Sequence, residues 1–408
     1  MKSHFILKAG ILWMAFVFFV GLQNTNAQII KEFPRDSAKF IETLSEYLEN
    51  RINESNEERF KKFREYWESG KFNSAKRDTI VYMANTMLQN NANREPHFTT
   101  MIDFLIRINN TNFDSEYFPT WIKGFHHLAQ EKKRKLKKIT DYFRFMLDFI
   151  ESGCLYSSRA RSWYAVDDNY QFIYDTTIKV IYPETRLKCK HRDDSIRIYE
   201  TEGVYFPFKR KWKGEGGRVT WERAGYSPEN VHAKLSDYTI DITKAEYQAD
   251  SVQFINKLYL DRPVLGSLEE QLLHVIKPNE AVYPVFNSYK KIFEIPEIYQ
   301  NMDYTGGFQM KGAQFIGTSG SGQDATIEVH RNGEIFMTAS AETFILQKEK
   351  ALSRSASITI HLKKDSINHT GLQFTYNVET ENIEQTPNDN VLSESVYYDT
   401  YHQVSMNF

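Results

Sequence analysis

From Asp324 to His330 the chain alternates strictly. Ala325, Ile327 and Val329 are apolar, and Asp324, Thr326, Glu328 and His330 are polar. A period of two is that of a strand with one buried face. Asn332-Gly333 follows, a pair that tolerates the positive φ a two-residue type I′ turn needs at both central positions. The return run carries Ile335, Met337 and Ala339 on alternate positions. Such a turn joins antiparallel neighbours, so Gly306 to Leu346 predicts hairpin architecture rather than a purely parallel solenoid.

The same period recurs on both sides of this stretch. Strands are predicted over Tyr170–Tyr174, Thr177–Ile181 and Ser195–Tyr199, with two or three more in Val231–Phe254. Ala356, Ile358, Ile360 and Leu362 alternate, as do Leu372, Phe374, Tyr376 and Val378. Leu268–Val275 reads as a short helix, 278–303 as irregular and 379–394 as a polar loop. Val396 to Phe408 predicts one strand. A strand ending without a polar tail fits either a fragment of a longer protein or a strand paired into a sheet. Gly216–Trp221 parallels Gly306–Lys311, and each follows an aromatic-proline element, Tyr205-Phe206-Pro207-Phe208 or Tyr283-Pro284-Val285-Phe286. Two explanations stand side by side: a duplicated β-unit, or two β-domains that each use glycine turns.

Before Ser152-Gly153 the period is helical. Phe40, Leu44, Leu48 and Ile52 share a face behind a cap at Ser37. Phe60, Phe63 and Trp67 follow Ser55, and Ile80, Met83 and Met87 follow Ser74. Pro96 opens a segment with Ile102, Leu105 and Ile108. A last helix is predicted from Trp121 to Ile150, with Leu136, Ile139, Phe143 and Leu147 inward. Its basic run Lys132 to Lys138 reads as a solvated face, or else as a patch for phosphate, acidic glycan or lipid head groups. The expected fold is therefore α+β and multidomain. An N-terminal helical bundle or hairpin array (28–153) precedes a mainly antiparallel, sandwich-like β-region, in portions 154–277 and 278–408.

The chain has 408 residues, 25% of them charged, and a net charge of −2. That balance gives no field to recruit nucleic acid. Lys2 and Lys8 precede the apolar run Ile11–Leu22, and Thr25-Asn26-Ala27 ends a polar stretch. This is the pattern of a secretory signal peptide over 1–27. The run is too short for a comfortable span, so the mature chain is expected to carry no transmembrane helix. Export places the protein in the periplasm, the outer membrane or at the cell surface. A barrel is an alternative reading, because the terminal alternating strand with Phe408 resembles the closing strand of outer-membrane β-barrels. Cys154 and Cys189 are the two cysteines; an exported chain allows them a disulfide, or they are buried thiols.

Catalytic patterns do not stand out. Gly317-Thr318-Ser319-Gly320-Ser321-Gly322 resembles a phosphate cradle but lacks the Lys-Ser/Thr ending and leads into a strand. His126-His127 lacks a metal-binding spacing, and His330, His361, His369 and His402 converge only if folding brings them together. No metal site and no cofactor is predicted. Trp163, Tyr205, Trp212 and Trp221 lie near turns and are the candidate ligand-stacking aromatics, with core packing as the other reading.

One tripeptide recurs beyond the roughly one occurrence composition predicts. Asp followed by Ser or Thr and a small, aliphatic or Thr residue stands at Ser37, Thr79, Thr176, Ser195, Ser251 and Ser366. The pattern resembles the O-glycosylation sequon of exported proteins in one large Gram-negative group. Modification at these hydroxyls is what that resemblance implies. The functional expectation is a non-enzymatic envelope or surface protein with a structural or partner-binding role, its partner a protein or glycan. The alternatives are a carbohydrate-binding or glycan-processing protein, and an outer-membrane barrel or barrel-associated component.

Overall fold

The computed structural model describes residues 30–49, 51–109, 111–131, 135–192, 194–273, 280–387, 396–400 and 403–407. The expected signal peptide lies outside the described residues. The chain divides into two compact units, 1–109 and 110–408.

The first unit is helical: α1 (Ser37–Leu48), α2 (Glu54–Glu68), α3 (Ser74–Gln89) and α4 (Thr99–Ile108). The caps lie one or two residues ahead of the serines expected to supply them. Asp36 accepts from Lys39 N–H at 2.9 Å, Asn53 from Asn56 N–H at 3.0 Å and Asn73 from Lys76 N–H at 2.9 Å. Asp and Asn cap at least as well as Ser, so the choice fell to backbone geometry. The apolar stripes meet in an aromatic core, with Phe33 edge-on to Phe40, Tyr47 and Phe98, and Phe40 4.8 Å from Trp67.

The second unit opens with α5 (Asn112–Glu116), α6 (Phe118–Ala129) and α7 (Lys135–Ser152). The single helix expected over 121–150 is thus two. Gln130 closes α6, its N–H shared between the carbonyls of His126 and His127 at 3.2 Å. These helices pack on the sheet: Phe113 lies 5.2 Å from Phe172, Phe145 5.6 Å from Tyr205 and Phe149 4.9 Å from Tyr170. The break between units therefore falls at Asn109, not at the change of period near residue 153.

The first strands are β1 (Cys154–Ser157), β2 (Ser162–Ala165), β3 (Gln171–Tyr174), β4 (Ile178–His191), β5 (Asp194–Phe206) and β6 (Lys211–Glu215). Then come β7 (Arg218–Thr220), β8 (Val231–Lys234), β9 (Asp237–Asp241), β10 (Glu246–Asn256) and β11 (Val264–Gln271). Every pairing is antiparallel. β5 lies along β4, and its other edge is divided, the end at Tyr199 meeting β7 and residues 202–206 meeting β6. β6 pairs with β9 and β7 with β8. β8 and β9 both land on β10, which pairs along its length with β11.

The next strands are β12 (Val285–Ser288), β13 (Phe293–Tyr299), β14 (Met302–Lys311), β15 (Gln314–Thr318), β16 (Ala325–Arg331) and β17 (Glu334–Ala341). β18 (Thr343–Leu346), β19 (Lys350–His361), β20 (Ser366–Asn377), β21 (Ile383–Pro387), β22 (Val396–Asp399) and β23 (Val404–Asn407) complete the sheet. The partnerships of β5 to β11 recur in β14 to β20. β14 divides its edge between β15 and β16, β15 meets β18, and β16 meets β17. β17 and β18 land on β19, which runs along β20. A register shift bends β10 between Ala249 and Val252 and β19 between Ser353 and Ala356, the same step at the same place. β12 bridges β11 and β14, and Phe254 stacks on Phe286 at 4.4 Å, so the sheet is continuous across 277.

Several expectations change. Leu268 begins no helix but lies in β11, because Val264, Gly266, Leu268 and Glu270 alternate inward. Segment 278–303, expected to be irregular, contains β12 and β13, and segment 379–394, expected to be a loop, contains β21. The terminal run is not one strand but the hairpin β22–β23, with Val396 opposite Asn407. Gly216-Gly217 forms the turn between β6 and β7, whereas Gly306-Gly307 lies inside β14, so the two glycine pairs are not equivalent.

Candidate ligand groove

A groove of about 810 Å³ lies in the second unit between α6, α7, β1, the β3–β4 turn and the loop that follows β5. The α7 wall is a charged stripe. Lys137, Asp141, Arg144 and Asp148 follow the i, i+4, i+7, i+11 spacing that keeps side chains on one helix face. The opposite stripe, Ile139, Phe143 and Met146, is buried. The facing wall is the loop at Pro207-Phe208-Lys209-Arg210, the continuation of the aromatic-proline element.

Five cationic side chains, Lys137, Lys138, Arg144, Lys209 and Arg210, share the groove with three carboxylates, Glu131, Asp141 and Asp148. Lys138 pairs with Glu131 at 2.8 Å, which holds that carboxyl below its ordinary range. Arg210 pairs with Asp141 at 3.0 Å and lies 5.7 Å over the Tyr156 ring. Lys137, Arg144 and Lys209 form no ion pair with any described residue. Rings complete the lining: Phe208 stacks on His127 at 5.9 Å and meets Tyr142 edge-on at 5.2 Å. Phe145, Tyr156 and Phe208 each keep part of their surface in solvent.

The groove holds charge better than it performs covalent chemistry. Cys154 lines it, but burial, reinforced by Asp148, pushes the thiol up to about 12, so the nucleophilic thiolate is scarce. Tyr205 is likewise pushed up by burial, and its hydroxyl donates to Leu155 O at 2.7 Å. His127 Nδ1 lies 3.4 Å from the Tyr174 hydroxyl and bonds to no serine, threonine or cysteine of the groove among the described residues.

Of the four aromatics singled out in the sequence, only Tyr205 reaches the groove. Trp163, Trp212 and Trp221 are 0% exposed and leave no face for a sugar ring. They are core: Trp163 Nε1 donates to Lys244 O at 2.7 Å, Trp212 lies 5.7 Å from Tyr182 and Trp221 5.0 Å from Phe254. Proximity to turns in sequence did not mean exposure: Trp163 lies on β2 between β1 and β4, Trp212 on β6 between β5 and β9, and Trp221 directly after β7 with its ring against Phe254. Cys154 and Cys189 are free and buried. β2 runs between them, with Cys154 opposite Tyr164 and Cys189 opposite Trp163. Two sheet spacings, roughly 9.5 Å, exceed the Cα separation a disulfide bridges, about 7 Å at most.

The six candidate hydroxyls differ in access. Ser251 is exposed in the β10 bulge at φ +54°, and Thr176 is exposed in the β3–β4 turn. Ser195 and Ser366 are half-buried, and Ser366 Oγ lies 3.1 Å from Thr400 Oγ1. Ser37 sits in the first turn of α1 and accepts from Arg77 at 3.2 Å; Thr79 donates to Ala75 O within α3 at 2.9 Å. The histidines of the β-region go to separate neighbours: His361 to Thr338, buried His369 against Tyr397, and His330 to Asp303. His402 and residues 132–134 of the basic run lie outside the described residues.

The sequence reading missed Arg144, Lys209, Arg210 and Phe208. The i, i+4, i+7, i+11 charge spacing was there to be read on α7, but nothing local ties it to the loop at Pro207. Among the described residues, no helix is long and apolar enough to cross a membrane. No protein-family model, no curated protein and no solved structure matches this chain.

Proposed function

We propose that this chain is an exported, non-enzymatic protein of the cell envelope or surface that binds an anionic partner in the groove between α7 and the loop at Pro207. The observation that carries the reading is the set Lys137, Arg144 and Lys209, three cations that form no ion pair among the described residues, beside partly exposed rings. The cations favour carboxylate or sulfate groups, and the rings favour the flat faces of sugars. An acidic glycan is the ligand class that uses both. The basic, apolar and small-residue sequence of 1–27 supports export. The barrel alternative gains little, because outward positions of β10 are Glu246, Gln248 and Gln253 rather than an apolar belt.

We further infer that the β-region is a duplicated, sandwich-like module. The support is the recurrence of one pairing scheme in β5–β11 and β14–β20, with the bend at Ala249/Val252 matched at Ser353/Ala356.

The test is calorimetric titration of the chain with an acidic polysaccharide at low and high salt. Binding that weakens with salt, and by about tenfold or more in Arg144→Glu with Lys209→Glu, is expected. Equal binding of a neutral polysaccharide, or indifference to both substitutions, overturns the reading.

A further inference from the structure

We propose that Asp303, Glu328 and His330 form a divalent-metal site in the second half of the sheet, suited to zinc or a similar borderline ion. Asp303 lies on β14, and Glu328 and His330 on β16. Asp303 and Glu328 are direct partners across the ladder. His330 is two positions beyond Glu328 and so returns to the same face. Tyr304, Ile327 and Val329 alternate with these three and are buried. The polar trio therefore stands on the face turned away from the core, half-buried, with one ligand atom from each within 4.8 Å of the others.

Stability alone does not select this arrangement. Carboxylates directly opposite each other on adjacent strands repel. His330 Nε2 meets Asp303 Oδ2 at 3.0 Å, but Glu328 makes no hydrogen bond or ion pair among the described residues. A group outside the trio also orients it: Glu297 N–H donates to Asp303 Oδ1 at 2.8 Å and leaves Oδ2 facing His330. Metal-binding carboxylates are characteristically fixed in this way.

The donor set selects the ion. One imidazole with two carboxylates suits zinc-like ions better than calcium or magnesium, which prefer all-oxygen shells. Bonds near 2.0–2.2 Å place tetrahedral ligand atoms roughly 3.4 Å apart. The side chains reach that spacing by rotating inward, with His330 Nε2 exchanging Asp303 for the ion. Three protein ligands leave a fourth position open. Beyond Glu328 the row continues across the sheet through Thr338, Thr359 and Asn368, so the open position borders a polar surface.

Calorimetric titration of the chelator-treated full chain with Zn2+, and separately with Ca2+, tests the site. One saturable Zn2+ per chain is expected, with weaker Ca2+ binding. Glu328→Gln and His330→Gln should each weaken Zn2+ at least about tenfold while leaving the metal-free melting temperature close to that of the parent. The absence of saturable Zn2+ binding, or binding unchanged in both variants, overturns the proposal. Co2+ added to the unsubstituted chain gives a reading independent of any variant. Intense tetrahedral-type visible bands support the site, and the weak spectrum of hydrated Co2+ overturns it.

Discussion

Arg223 holds Glu270 through Nη1 at 2.7 Å, and the same guanidinium grips Asp194 through Nε at 3.2 Å and Nη2 at 2.7 Å. One cation thus serves two carboxylates, and Glu270 is 3% exposed. Burial pushes the Glu270 carboxyl up to about 7 against the pull of Arg223. The native state then binds a proton that the unfolded chain has released, so this group's contribution to stability falls as pH rises from about 4.5 to about 7. Glu270→Gln should flatten that part of the profile. The parent should lose on the order of 3 kcal/mol relative to the variant between pH 4.5 and pH 8. Urea unfolding of both proteins across this range measures it; parallel profiles would show Glu270 ionised throughout.

Gly203 faces the core tryptophan of the neighbouring strand. A Cβ there would meet Trp212 Cζ2 at 2.2 Å and the Lys213 carbonyl at 2.9 Å. Trp212 is wholly buried, so it has little room to yield. Gly203→Ala should destabilise the chain by about 1–3 kcal/mol. Trp212→Ala, which leaves a cavity, should cost about 3–5 kcal/mol. Thermal unfolding of the two variants should rank them in that order.

The two thiols give a redox prediction. Both are buried, burial pushes each up to about 12, and β2 separates them. A reductant should leave the melting temperature unchanged. A thiol reagent should label both cysteines fast in denaturant and slowly in the native protein. A melting temperature that drops by several degrees on reduction would show a disulfide.

Local patterns were legible and long-range partnerships were not. Asn332 and Gly333 adopt φ +56° and +79°, the turn their residue types demand. The change from helical to strand period near Gly153 was also legible, yet α5 to α7 belong with the sheet, because Phe113, Phe145 and Phe149 find ring partners on or beside β3 and β5. A periodic stripe shows that a face is buried, not what covers it. The glycine pairs that look alike in sequence sit in unlike places; the recurring feature is strand partnership, which no short motif encodes. The groove has the same character, since α7 and the loop at Pro207 meet only in the fold.

Asp141 offers the cleanest separation of stability from binding in that groove. Its ion pair with Arg210 spans 3.0 Å, but the two side chains are 31% and 45% exposed. Water screens such a pair, so its net contribution to stability is small. Asp141→Asn should shift unfolding free energy by less than about 1 kcal/mol. It also removes a negative charge from the α7 stripe and breaks the ion pair of Arg210, adding a fourth cation to Lys137, Arg144 and Lys209, which form no ion pair among the described residues. Affinity for an acidic polysaccharide should therefore rise, with a steeper loss of binding as salt is added. Arg210→Gln should lower affinity, although it removes the same ion pair. If the two substitutions moved affinity in the same direction, the ion pair itself, rather than the balance of charge in the groove, would be what the ligand needs.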